Sequence, residues 1–173
     1  MATAGDVLEI PSIGVRVEFR TTSEQSGGEF LEFDFVGRPQ GFITVPHVHP
    51  RQTERHEVIE GRFRIRTGGL ERVLGPGEVV ETAPGVTHRH GAAGHEPARI
   101  RITVRPALDF EAWLERIAEI DRDGDYLPGG WPKPVAAARL LLDFEGAAHG
   151  TLVPLALQKR AAESVLRLAQ SRR

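Results

Sequence analysis

Two imidazoles and a carboxylate stand close together in Gly41-Phe-Ile-Thr-Val-Pro-His47-Val-His49-Pro-Arg-Gln-Thr-Glu54, close enough for one metal ion to take all three. His47 and His49 are two residues apart, so on an extended strand they point to the same face. Glu54 opens the next alternating run, Glu54-Arg-His-Glu-Val-Ile-Glu-Gly61, which reads as the partner strand of a hairpin. A third imidazole, His88, follows the turn signal Ala83-Pro84-Gly85. Neutral imidazoles with one carboxylate make a nitrogen and oxygen donor set suited to a single divalent transition metal. Iron, manganese, nickel, cobalt, copper and zinc all fit, because affinity order and availability choose among them. His56 lies two residues after Glu54 and His90 two after His88, so both share the inward parity of the ligands. That much polarity is expensive to bury without a use. His56 and His90 are therefore candidate catalytic residues, as general acid or base beside the metal. The competing uses are an additional ligand, or a hydrogen bond that orients a ligand.

The elements that must hold these residues are short strands. Ile13 to Phe19, Leu31 to Phe35, Phe63 to Thr67 and Ile100 to Val104 alternate apolar with mostly charged residues, the period of half-buried antiparallel strands. Gly27-Gly28, Gly68-Gly69, Gly75-Pro76-Gly77 and Gly91 to Gly94 punctuate them. Many short strands at this spacing predict an all-β sandwich or barrel over residues 1–106. The pattern changes at Pro106. Asp109 is placed to cap a helix carrying Phe110, Trp113, Leu114, Ile117 and Ile120 on one stripe. A Pro/Gly-rich link from Asp121 to Pro134 ends it, and further helices are expected over Val135 to Phe144 and from Pro154 to about Gln170. Residues 107–173 are thus a C-terminal helical segment packed on, or beside, the barrel.

Composition narrows the function classes. The chain has 173 residues, a formal net charge of −2 and no cysteine. The length suits one domain. The charge gives no bulk reason to expect nucleic acid, and no helix-turn-helix or basic recognition stripe is evident. Without cysteine there are no thiolate zinc sites, iron–sulfur clusters, disulfides or cysteine nucleophiles. No apolar run reaches the roughly 18 residues of a membrane span, and Met1-Ala-Thr-Ala-Gly-Asp has no signal-peptide character, so a cytoplasmic location is the expectation.

Gly41-x5-His47-x-His49-x4-Glu54-x6-Gly61 resembles the first motif of the cupin superfamily at every defined position. Gly77, Gly85 and His88 resemble the second, with Ala83 where proline is usual and Ala92 where asparagine is usual. Neither departure falls on a ligand position. The resemblance covers roughly residues 38–106. It implies a double-stranded β-helix, or jelly-roll, barrel with His47, His49, Glu54 and His88 turned inward onto one metal and coordination positions left open. Some cupins that cyclise polyketides hold zinc with four histidines, a precedent for His56 or His90 as an extra ligand. Cupins are often dimers, so a homodimer through a barrel edge near the N-terminus is expected.

What the resemblance implies for function is a metal-dependent enzyme on a small-molecule substrate, foremost an oxygenase or dioxygenase of an aromatic, ketone or polyketide-like compound. A non-redox Lewis-acid cyclase, isomerase or hydrolase is the alternative within enzymes, and a ligand-binding sensor the alternative outside them. The remaining polar residues have plainer readings. Arg62, Arg64, Arg66, Arg99, Arg101 and Arg105 form an outward, solvated sheet face with Glu57, Glu60, Glu71 and Glu81 as partners. Gln52 is a turn residue or a hydrogen-bonder near the metal. His95 and His149 fall in loop-like, exposed surroundings. Lys159, Arg160, Arg167, Arg172 and Arg173 make the last helix basic, its charges solvated as it packs on the barrel.

Overall fold

The computed structural model describes residues 2–171. The alternating runs form β1 (Val7–Ile10), β2 (Val15–Thr21), β3 (Leu31–Gly37), β4 (His47–Val48), β5 (Thr53–Glu60), β6 (Phe63–Thr67), β7 (Leu70–Leu74), β8 (Val79–Thr82), β9 (His88–Ala92) and β10 (Ala98–Arg105). After β10 come α1 (Phe110–Arg122), the short hairpin β11 (Tyr126–Leu127) and β12 (Trp131–Pro132), α2 (Pro134–Phe144), β13 (His149–Gly150) and α3 (Leu155–Gln170). Two antiparallel sheets result, a six-stranded one in the order β1-β2-β3-β10-β5-β8 and a five-stranded one in the order β13-β4-β9-β6-β7. This is the expected jelly roll followed by a helical segment. Phe19, Phe33, Ile100 and Val104 of the first sheet join Phe63, Ile65 and Leu74 of the second in one buried core. Burying apolar area on this scale is the main favourable term in the fold.

The hairpin expected between β4 and β5 does not form. β4 lies beside β9 in the five-stranded sheet, whereas β5 lies between β10 and β8 in the other. Alternation tells which face of a strand is buried and nothing about which strand lies next to it. His49 and Glu54 therefore approach from facing sheets. The motif glycines have steric reasons. Gly41 has φ 70° and a side chain there would collide with the Gly130 carbonyl of the β11–β12 turn. Gly61 has φ 78° and turns the chain against Pro97 and Ala98.

The tail is bound to the barrel by specific contacts. α1 buries Phe110, Leu114, Ile117, Ala118 and Ile120. Asp109 occupies the position before the helix but makes no capping bond, since its φ of −94° and ψ of 13° are not the extended conformation a capping side chain needs. Gln52 is buried, and its amide donates to the carbonyls of Pro106 at 3.3 Å and Ala107 at 2.9 Å. It locks the start of the tail to the barrel from the turn between β4 and β5, while its Oε1 is buried without a partner. α3 packs on α2, and its Lys159 reaches Glu145 at 2.8 Å. Arg160 is solvated as expected, while Arg172 and Arg173 lie outside the described residues. No helix among the described residues is long and apolar enough to cross a membrane.

Candidate metal centre and its cavity

His47 on β4 and His88 on β9 are paired neighbours in the five-stranded sheet. His49 follows β4, and Glu54 projects toward them from β5. The four residues offer ligand atoms that all lie within 4.8 Å of one another. Backbone carbonyls set the histidine orientations. Nδ1 of His47 donates to Val45 at 2.9 Å, that of His88 to Val86 at 3.3 Å, and that of His49 to Ala147 at 2.6 Å. Because a carbonyl only accepts, each Nδ1 carries a hydrogen, and in the neutral ring Nε2 presents its lone pair to the group's centre. Ala147 belongs to the tail, so the tail fixes the tautomer of one of the four.

The inner atoms lack what buried polar atoms normally have. Nε2 of His49 and of His88 and Oε2 of Glu54 are enclosed without a hydrogen bond of acceptable geometry. Glu54 Oε2 nevertheless stands 2.8 Å from His88 Nε2 and 3.5 Å from His49 Nε2. Orphaned donors of ligand type, converging from two sheets, are what a divalent metal would satisfy. The residues fit such an ion. The protonation states of His47 and Glu54 fit it too. Burial pushes His47 down to about 3, helped by His88 and His49. Burial opposes charge on Glu54, but the His56 and His49 rings outweigh it and hold the carboxyl well below its usual range. His49 loses by burial and gains more from Glu54 and the Ala147 carbonyl, so it is shifted up.

His56 and His90 do face inward, but differently. His56 is fully buried, with neither ring nitrogen hydrogen-bonded and Nε2 3.5 Å from Glu54 Oε2. Burial pushes it down to about 4. His90 stacks on Phe63 with ring centroids 5.4 Å apart and lines the cavity above the four-residue group. Burial first, then the neighbouring His56 and His47, holds it well below the usual histidine range. Both stand outside the group whose ligand atoms converge.

The cavity measures about 270 Å³. His47, His49, Glu54 and His90 form its polar floor, and Phe33, Phe35, Ile102 and Phe42 of the barrel part wall it. The tail supplies more than half of the lining, including Phe110, Trp113, Leu114, Trp131, Leu140 and His149. No lysine or arginine lines it among the described residues. His149 was expected in an exposed loop. It instead sits half-buried on β13, paired with Val48 beside the ligand strand. A two-residue strand has no periodicity to read, which is why its sequence gives no sign of it. His95 is exposed, as expected.

Fold and site together define a double-stranded β-helix protein with a group able to hold a metal at the bottom of an apolar cavity. The family model described as Cupin domain matches residues 35–105, so that part of the chain is similar to the cupin family. Among solved structures it is similar to KdgF from Halomonas sp., at 19% identity over 60% of this chain and 88% of that one, with a TM-score of 0.50. An RmlC-like cupin from Shewanella frigidimarina is similar at 20% identity over 61% of this chain and 86% of that one, with a TM-score of 0.51. Likeness at this level describes the fold. No curated protein matches the chain.

Proposed function

We propose that the protein is a metal-dependent oxygenase acting on an apolar small molecule of aromatic, ketone or polyketide type. The observation that carries this reading is the joining of a metal-competent His47, His49, Glu54 and His88 group to a cavity whose walls are aromatic and aliphatic and, among the described residues, contain no lysine or arginine. A sugar phosphate or a small dicarboxylate would find no counter-charge on those walls. A flat hydrocarbon framework with a ketone or enol oxygen finds apolar walls to bury it and a floor to orient its oxygen. A redox-active divalent metal held by the four residues would supply dioxygen activation together with binding of the substrate oxygen.

The remaining work falls to side chains. The apolar walls exclude water from the reacting oxygen. His90 lines the cavity, and that position makes it the group to move a proton at the bound substrate. His56 does not line the cavity and acts behind it, positioning Glu54 and the His90 ring, whose centroid is 5.5 Å away.

The test is metal analysis of protein purified without added metal, followed by turnover of aromatic ketones, flavonols and polyketides with and without dioxygen. Iron, manganese, nickel, cobalt or copper with dioxygen-dependent turnover is the expected result. Activity unchanged under anaerobic conditions with near-stoichiometric zinc would replace the oxygenase by a Lewis-acid cyclase, isomerase or hydrolase.

A further inference from the structure

His149 is the one titratable side chain that the tail brings to the cavity among the described residues. Three contacts fix it there. β13 pairs with β4, which sets His149 opposite Val48 and Gly150 opposite His47. The Gln158 amide of α3 donates to the Gly150 carbonyl at 2.8 Å, holding the strand from outside. The His149 ring itself is tied through Nδ1 to the Glu145 carbonyl at 3.2 Å. That carbonyl can only accept, so Nδ1 holds the hydrogen and Nε2 is left as a lone-pair acceptor. The result is one imidazole among the apolar side chains that the tail brings to a cavity with imidazoles and one carboxylate in its floor.

The geometry points to His149 as a substrate-positioning residue that accepts, at Nε2, a hydrogen bond from a hydroxyl of a flat, largely apolar molecule. The substrate class is then a phenol or enol, and not its ether or a carboxylate. This deepens the oxygenase reading and rests on its assignment of the cavity to substrate. An acceptor in an apolar wall discriminates against an analogue lacking the donor, because that analogue leaves the acceptor unpaired. A carboxylate would bring a second lone pair against the first, with no cation on the walls to offset its charge.

The two tryptophans of the chain, Trp113 and Trp131, both line the cavity, so their emission reports its occupancy. Metal-loaded protein is titrated with 2-naphthol and with 2-methoxynaphthalene, following quenching corrected for probe absorbance. The expected result is a preference for the naphthol of roughly 3- to 10-fold, the span of one neutral hydrogen bond. His149→Phe should erase that preference while leaving the methoxy probe within about twofold of its wild-type affinity. His149→Gln, which keeps an acceptor, should retain part of it. A preference undiminished in His149→Phe overturns the proposal. So does wild-type protein that binds neither probe or fails to distinguish them, whatever the variants do. The measurement needs neither turnover nor dioxygen. Anaerobic activity with intact discrimination would sink the oxygenase reading alone, and dioxygen-dependent activity without discrimination would sink the His149 assignment alone.

Discussion

The six-stranded sheet buries one carboxylate on each face, and the two are treated in opposite ways. Asp34, on the outer face of β3, is 0% exposed and Glu54, on the inner face of β5, is 3% exposed. Asp34 is saturated. Oδ2 accepts from Arg20 at 2.6 Å and Arg99 at 2.9 Å, and Oδ1 from Arg101 at 2.9 Å. Burial works against its charge, but those three guanidiniums hold it below the usual carboxylate range. Glu54 has three imidazoles near its Oε2 and no hydrogen bond to that atom. Solvent exposure is nearly the same, and the supply of fixed donors differs. Asp34 is complete as it stands and serves the sheet, whereas Glu54 is arranged for a cation from outside.

The largest effects should separate the two. Glu54→Gln keeps the shape and removes the charge, so metal affinity should fall by at least about 100-fold, past the range expected for groups that only support a ligand. Its metal-free stability should fall as well above pH 4.5, because a carboxyl shifted down on folding contributes stability in its charged form. Asp34→Asn should separate the two properties. Losing charge-assisted bonds in a buried network lowers stability by about 2–3 kcal/mol, with metal content unchanged. Metal analysis and chemical denaturation of both variants check this. Stoichiometric metal retained in Glu54→Gln would dissolve the contrast.

Acid should find the same difference. His47 at about 3, His56 at about 4 and His90 well below its usual value are all shifted down on folding. Unfolded, each titrates near 6.5. Between about pH 6.5 and 4 the unfolded chain therefore binds protons that the folded chain refuses, and stability falls as pH falls. The slope is on the order of 1.4 kcal/mol per pH unit for each imidazole. His49, shifted up, is protonated in both states across that window; its contribution is present below 6.5 and lost as pH rises through its folded value. Glu54 and Asp34, shifted down, contribute above their unfolded values of 4.5 and 3.8 and lose that only at lower pH. Denaturation of metal-free protein from pH 7 to 4 should show the interior's slope, and His90→Phe should remove about one proton from it. A flat profile would mean that the interior histidines are as solvated as the outer face.

The contrast also marks what could be read from the chain. Period-2 alternation located the strands and the inward parity of His47, His49, Glu54, His88, His56 and His90. It could not supply adjacency, and adjacency decides the rest. The β4–β5 hairpin was expected because the two runs are consecutive, yet they lie in facing sheets. Arg99 and Arg101 looked solvated because they alternate outward. Their convergence with Arg20 on Asp34 depends on β3 lying between β2 and β10. Neither Glu60 nor Glu81 forms an ion pair among the described residues, although Glu57 pairs with Arg55 and Glu71 with Arg64. The tail's share of the cavity was hidden for a different reason. β12 and β13 are two residues each, too short for any period, and Trp131 and His149 sit on them.

The smallest effect tests whether the outer face owes its strength to burial or only to charge. Glu71 on β7 resembles Asp34 on paper, with Arg64 at 2.8 Å and Arg89 at 3.3 Å. The difference is water, since the side chains of Glu71 and Arg64 are 37% and 49% exposed. Solvent screens such pairs and competes for the same hydrogen bonds, and ordering long side chains offsets the gain. Glu71→Gln should therefore move the melting temperature by no more than about 2 °C, and by less at high salt. Asp34→Asn measured beside it should lose several times as much, with little dependence on salt, because its carboxylate is shielded by the three arginines. Equal losses in the two variants would show that the number of arginine partners, and not their enclosure, sets the strength of the outer network.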